Sequence, residues 1–397
     1  MSVVQARAAM LAAVRPLQPE RVPLEDALGR VLSNTIKAGR DQPPFAVSAM
    51  DGYAVRSVDT PGRLSVAGVS SAGHGFEGRC GRGGAIRIST GAAMPAGADT
   101  VVIQENVTRT GEIVIVPAAQ AGSNIRPRGG DFCAGRDLLQ RGCRMDGIGL
   151  SLAAAAGVAQ IDVMRAPRVA ILSSGDELAA PGETPGTYQI FDSSTYGIAG
   201  LVRSWGGVPQ RLAVEKDNAD DIARASAQGL DDNDLLVVIG GASVGDHDHA
   251  RAALLSLGLD LLVEKVSIRP GKPTWFGRTP RGLVLGLPGN PASALVCARL
   301  FLQPLLEAMM GRNPETSVAF CRARLSYALP ANGPREHYLR ARLDADAEGQ
   351  LLVRAFEDQD SSLIFVYASA NALIRMPPDA AIMPRGATVD VLRLETA

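Results

Sequence analysis

RVAILSSGDEL, residues 168–178, begins as an unbroken apolar run and then turns abruptly to serine, glycine and acid. A strand with no polar alternation is one buried on both faces, which is the signature of a parallel sheet covered by helices. The pattern repeats outward from this point. DLLVVIGG (234–241) and GLVLGLPG (282–289) are further strands of the same kind, with VPQRLAV and LDLLVEKVSI between them. Helical texture fills the gaps over about 195–205, 218–229, 248–257 and ASALVCARLFLQPLL (292–306). Strands alternating with helices at this spacing predict a doubly wound α/β domain over 166–312.

The flanks read differently. Residues 1 to about 40 suggest two helices interrupted by Pro16, Pro19 and Pro23. Residues 42–130 are rich in Gly, Ser and Thr, with short β-branched runs such as GAIRIST and EIVIVPA, and form an all-β insertion. Helical character returns over 131–165, so segments 1–41 and 131–165 are expected to pack together as one elongated helical domain around that insertion. From 313 to 397 short alternating strands predict a small C-terminal β-domain. The fold class is therefore multi-domain α/β plus β.

Composition narrows the function. With 40 Lys+Arg against 41 Asp+Glu, the net charge is -1, so there is no global positive field for nucleic acid or an anionic membrane, and aromatics for base stacking make up only 4%. Five widely spaced cysteines suit reduced thiols in the cytoplasm. The amphipathic N-terminus lacks an export signal, and no apolar run is expected to reach the length of a membrane span.

Chemistry collects at the strand ends, where open α/β sheets bind ligands. Asp176 and Glu177 follow the first strand. In GGASVGDHDH, Gly240, Gly241 and Gly245 allow an anion nest of backbone N–H groups. Asp246 and Asp248 either hold a metal or cap the next helix, and His247 and His249 are too few for a closed zinc site. Arg269 and Lys272 flank a Pro-Gly turn. Pro288, Gly289 and Pro291 shape a turn into a helix N-terminus suited to an anion. No P-loop, dinucleotide fingerprint or nucleophile elbow is present.

SAMDGYAVR (48–56), STGAAMPAGADTVV (89–102), RGGD (128–131), SSGDEL (173–178), GGASVGD (240–246), RPGKP (269–273) and GLPGNP (286–291) together resemble the molybdopterin molybdenumtransferase family, in family order and over essentially the whole chain. That resemblance implies insertion of molybdate into adenylylated molybdopterin with loss of AMP, assisted by Mg2+, in a homodimer whose active site is completed across subunits. It implies Glu177, Asp217 and Asp248 as acidic cleft residues, and Glu177, Asp246 and Asp248 as magnesium ligands. Substrate contacts are implied at Gly240, Gly241, Ser243, Gly245, Pro288, Gly289, Asn290 and Pro291, with Lys265, Arg269 and Lys272 as candidates for molybdate. Outside the α/β domain it points to Asp51, Thr90, Asp131, Arg340 and Ser361. By residues alone, Asp51 is also a simple Asp-Gly turn. Arg269 stands where the family often has Lys, Ser194 where it commonly has Asn, and the segment around Val366 is poorer in serine. A molybdopterin adenylyltransferase and a non-catalytic scaffold of the same fold are the competing readings. A molybdopterin adenylyltransferase and recipient molybdoenzymes are the implied protein partners.

Overall fold

The computed structural model describes residues 1–216, 218–240 and 249–394. The chain forms two compact units: Met1–Glu20, Gly29–Ser33 and Asp162–Ala397 make the first, and Arg21–Leu28 with Asn34–Ile161 the second.

The first unit is built on a six-stranded sheet in the order Val208–Arg211, Arg168–Ser173, Leu235–Ile239, Gly282–Leu287, Trp275–Thr279, Asp260–Val263. The first four strands are parallel. Period-two alternation divides each strand between two cores. Val169 and Ile171 face helix Ser194–Ser204 and helix Pro291–Cys297, while Ala170 and Leu172 face helices Ala219–Asp231 and His249–Ser256. Burying each Ile or Leu of this kind contributes about 1.5–3 kcal/mol.

Trp275–Thr279 is not among the strands read from the sequence. It is a strand running antiparallel to Gly282–Leu287, and Asp260–Val263 runs antiparallel to it in turn. The sheet is thus mixed at this edge, and the expected single strand LDLLVEKVSI breaks after Val263. Gly286 explains the close pairing there: a Cβ at this position would lie 2.0 Å from the Trp275 ring.

The C-terminal segment closes on itself. Strands Cys321–Leu325, Glu336–Ala345, Leu351–Ala355, Ala372–Met376 and Thr388–Arg393 pair in the circular order 336–345, 351–355, 321–325, 388–393, 372–376. The pairing of Glu336–Ala345 with Ala372–Met376 completes a five-stranded barrel. Leu339, Ala341, Leu343, Val353, Ile374 and Val391 share the core that fills it. Closure removes the free edges that short strands would otherwise expose.

Two helices were expected in residues 1–40; one α-helix forms, Val3–Ala12, with a capping box between Ser2 and Gln5. The proline-bounded stretch Pro19–Pro23 is extended and Leu24–Ala27 is a 3-10 turn. Proline fixes φ and removes a donor, so a second helix cannot start there. Val3, Ala6 and Met10 join the α/β core of the first unit, whereas the later part of the segment does pack with residues 131–161 as expected: within the second unit Ile36–Lys37 pairs with Asp137–Leu139 and Leu24 N donates to Ala159 O. Helix Pro291–Met309 is, against expectation, long and apolar enough to span a bilayer, but 94% of it is buried within the protein.

The second unit holds a six-stranded sheet ordered Thr100–Ile103, Gly52–Val55, Gly84–Ile88, Gly62–Ser70, Ile113–Val116, Thr108–Thr110. Tyr53 and Val55 point into one small core and Ala54 into another. Of residues 131–161, only Gly147–Ala155 is helical, capped by Asp146, whose Oδ1 accepts from Gly149 N at 2.7 Å.

Candidate active site

The carboxyl ends of the parallel strands meet through backbone, with little side-chain bulk between them. Gly240 donates its N–H to Leu287 O at 3.2 Å, and a Cβ on Gly289 would lie 3.4 Å from Gly240 Cα. Gly240 has φ +88°, and a Cβ there would meet Ser174 O at 3.0 Å. Glycine is thus required where SSGDEL, the strand end at Ile239 and GLPGNP converge. Ser173 and Ser174 are buried, and their hydroxyls find no partner among the described residues. The segment around Glu215 locks this turn: Gly175 N donates to Glu215 O, and Glu215 N donates to Ser173 O. Glu177 is exposed, with its carboxylate folded back over Gly175.

A second group gathers where the barrel meets the RPGKP turn. Gly271, at φ +112°, lies so close to Cys297 that a Cβ would sit 2.2 Å from its Sγ. Thr274 Oγ1 ties the turn by donating to Gly271 O at 2.8 Å. Arg269 and Lys272 are exposed on either side. Ile268–Arg269 pairs in parallel with Glu336–His337, setting Arg269 beside His337. Arg340, three residues along, is 0% exposed. Its Nε donates to Gln359 Oε1 at 3.1 Å and its Nη1 to Asp360 O at 2.7 Å, while Nη2 has no partner among the described residues. Burial lowers the Arg340 pKa, opposed by Asp358 and Asp360. Burial, then Arg269, Arg340 and Arg335, depress the His337 imidazole to about 4. Alternation along the strand puts His337 on the barrel face with Leu339, while Arg340 lies on the opposite face and carries the one unsatisfied N–H.

Ser361 joins the sheet edge from the barrel side. Its Oγ accepts from Asn290 Nδ2 at 2.6 Å and its carbonyl from Ala292 N at 3.1 Å. The latter bond uses one of the helix donors that the sequence had offered to an anion; Pro291 has none.

In the second unit Asp51 and Thr90 are brought together: Asp51 Oδ1 accepts from Thr90 N at 2.7 Å and from Thr90 Oγ1 at 3.1 Å. The Asp-Gly turn therefore carries a defined carboxylate contact. Asp131 is exposed, with its backbone N–H donating to Gln42 O. Lys265 is exposed, and its carbonyl accepts from the N-terminal amine. Asp217, Gly241, Ser243, Gly245, Asp246 and Asp248 lie outside the described residues. Among the described residues, no cluster of three metal-ligating side chains occurs.

Sequence reading missed Ser174, Glu215 and His337. Ser174 was legible as part of SSGDEL, but only its burial without a partner distinguishes it. His337 carries no local signal, because its neighbour Arg269 is 68 positions away in the chain. Also missed was the set behind Ser194. Buried Asp192 accepts from Thr195 N at 3.1 Å, and Arg211 donates to Thr195 Oγ1 at 3.0 Å while lying 3.3 Å from the centroid of the Tyr196 ring.

An open α/β sheet with glycine-lined strand ends, joined to a β-barrel that supplies a buried arginine, defines a class of domain that binds a polyanionic small molecule at its carboxyl edge. Family models match in sequence: the MoeA N-terminal region (domains I and II) over residues 1–157, a probable molybdopterin binding domain over 170–308, and the MoeA C-terminal region (domain IV) over 322–394. The molybdopterin molybdenumtransferase of Nostoc sp. is 33% identical over 386 residues, covering 94% of this chain and 88% of the relative. That of Haemophilus influenzae is 32% identical, covering 98% of both. The crystal structure of the MoeA protein of molybdopterin biosynthesis from Pyrococcus horikoshii superposes with TM-score 0.86 at 28% identity, covering 100% of both chains. The chain belongs to the molybdopterin molybdenumtransferase family, transferases of molybdenum cofactor biosynthesis that act on molybdopterin and molybdate.

Proposed function

We propose that this protein transfers molybdenum from molybdate to adenylylated molybdopterin and releases AMP. The observation that carries the reading is Arg340, wholly buried with Nη2 unpartnered, on the strand whose first residues pair with Ile268–Arg269. A buried donor without a partner costs about 1–3 kcal/mol, and charged groups more, so the fold retains it where a ligand oxygen satisfies it. Molybdate, a dianion with four oxygens, suits Arg269, Lys272 and Arg340, with Lys265 nearby in sequence. The pterin phosphates suit the glycine edge of Gly240 and Gly289, with Asn290, Pro288 and Pro291 shaping its wall and Ser361 bracing Asn290. Gly241, Ser243 and Gly245 continue that glycine loop in sequence.

The exposed carboxylate of Glu177 at this edge has no ion pair among the described residues and is a suitable oxygen ligand for Mg2+, with Asp246 and Asp248 completing the set by sequence. Bound there, magnesium would draw charge from the phosphoryl oxygens and ease departure of AMP. Asp217 is the remaining acid of the cleft. Asp51, Thr90 and Asp131, on the second unit, act on the partner subunit's cleft in a homodimer. The same reading places the protein in the cytoplasm, receiving substrate from a molybdopterin adenylyltransferase and passing product to molybdoenzymes.

The test is direct. Purified protein given adenylylated molybdopterin, molybdate and magnesium should release AMP and yield cofactor that revives an apo-molybdoenzyme. Consumption of ATP with metal-free molybdopterin instead would indicate the adenylyltransferase, and absence of pterin binding would indicate a scaffold.

A further inference from the structure

Arg375, Arg165 and Arg7 are each held by a carboxylate: Glu336, Asp234 and Glu315. Arg340, 0% exposed, is held differently. Gln359 Oε1 accepts from its backbone N–H at 2.9 Å and from its Nε at 3.1 Å, and Asp360 O accepts from Nη1 at 2.7 Å. The amide nitrogen of Gln359 donates in turn to Arg340 O at 3.0 Å and to Phe356 O at 2.8 Å. These four contacts fix which way the amide points. Turned over, its NH2 would face two N–H donors and its oxygen two carbonyls. The carboxylates of Asp358 and Asp360, which act on Arg340 through space, are turned to backbone: Asp358 Oδ1 accepts from Asp360 N and Asp360 Oδ1 from Ser362 N, each at 2.8 Å. The same segment is anchored at Ser361, which holds Asn290 and Ala292.

We propose that Gln359 is a positioning residue of the anion site: a neutral clamp that fixes Arg340 without cancelling its charge, leaving Nη2 and the whole positive charge for a tetrahedral oxyanion of the molybdate class. This rests on the reading of Arg340 as part of that site. The requirement is specific. A carboxylate in place of the amide would bind the guanidinium more strongly, but it would cancel the charge that attracts the anion. Its second oxygen would also face the carbonyls of Arg340 and Phe356. A hydrocarbon side chain would keep the charge and release the guanidinium from its fixed orientation. An amide meets both conditions, because it accepts at one end, donates at the other and carries no charge.

The experiment is calorimetric titration of the full-length protein with sodium molybdate. Gln359→Glu, close to isosteric, should bind at least about tenfold more weakly, since a unit charge a few ångströms from the anion changes its binding by more than that factor even with a protein-surface dielectric. Gln359→Met should lose about tenfold, the worth of one hydrogen bond to a charged group. A cycle with Arg340→Lys separates aim from support: the backbone bonds to Gln359 survive that substitution and the guanidinium does not. In the Arg340→Lys background, Gln359→Met should therefore cost no further affinity. An equal loss in both backgrounds shows a backbone brace and overturns the proposal. Unchanged affinity in folded Gln359→Glu or Gln359→Met also overturns it and leaves the anion site standing; the Glu variant keeps the test decisive where Gln359→Met fails to fold. No molybdate binding by the wild type overturns the anion-site reading, and this inference with it.

Discussion

Gly271→Ala tests whether the turn that presents Arg269 and Lys272 is held by packing from beneath. The added methyl would fall 2.2 Å from Cys297 Sγ, and the next neighbours, Ile268 Cγ2 and Thr274 Oγ1, are at 3.5 and 3.6 Å. Only one atom is therefore in the way. It has little room to yield, since Cys297 is 0% exposed and its Sγ already lies 3.1 Å from Thr274 Oγ1. Overpacking of this kind costs about 1–3 kcal/mol, and a non-glycine residue at φ +112° adds about 1–3 kcal/mol of backbone strain. The variant should thus lose about 4 kcal/mol. Urea unfolding followed by tryptophan fluorescence is a suitable assay, because both tryptophans, Trp205 and Trp275, are buried in the first unit. Adding Cys297→Ala removes the obstructing sulfur, so the double variant should recover the steric part and show a coupling of about 1–3 kcal/mol. Additive single and double variants would refute the packing argument and leave backbone conformation as the whole cause. Molybdate affinity should fall in Gly271→Ala and partly return in the double variant.

Arg340→Lys should weaken molybdate binding at least tenfold in a folded protein, since one ammonium cannot keep the Gln359 and Asp360 contacts and also offer the free N–H; unchanged affinity by calorimetry would remove Arg340 from the site. Glu177→Gln should raise the magnesium concentration for half-maximal AMP release severalfold, and an unaltered magnesium curve would exclude it as a ligand. At a magnesium concentration too low to support Glu177→Gln alone, mixing Asp51→Ala with Glu177→Gln subunits should restore about a quarter of wild-type AMP release if each site draws on both chains of a dimer; inactive mixtures would show that Asp51 does not act across subunits. Acid stability should report His337: its folded value of about 4 lies below the ordinary 6.5 of an imidazole, so the unfolded chain binds more protons between these pH values and stability falls as pH drops from 6.5 to 4. The loss attributable to this ring is up to about 3 kcal/mol, and His337→Gln should flatten that part of a urea-midpoint profile.

Local pattern determined much of this molecule. The apolar runs at 168–173, 235–239 and 282–287 admit only a strand covered on both faces, and they form one. The glycine and acid loops after them had to emerge at one edge, because right-handed strand–helix alternation returns each strand to the same end. Full-chain resemblance supplied Asp51, Thr90, Arg340 and Ser361, and the first two are in hydrogen-bond contact. Tertiary structure alone decided the rest. The antiparallel strand Trp275–Thr279 depends on Gly286 leaving room for an indole, which no propensity encodes. Barrel closure depends on strands Glu336–Ala345 and Ala372–Met376 finding each other, and helix Val3–Ala12 joined the α/β core through contacts some 300 residues distant, with Met309 and Met310. Arg269 stands beside His337 because two short segments pair in one register. A charge acts through a few ångströms of space, and the sequence records only distance along the chain.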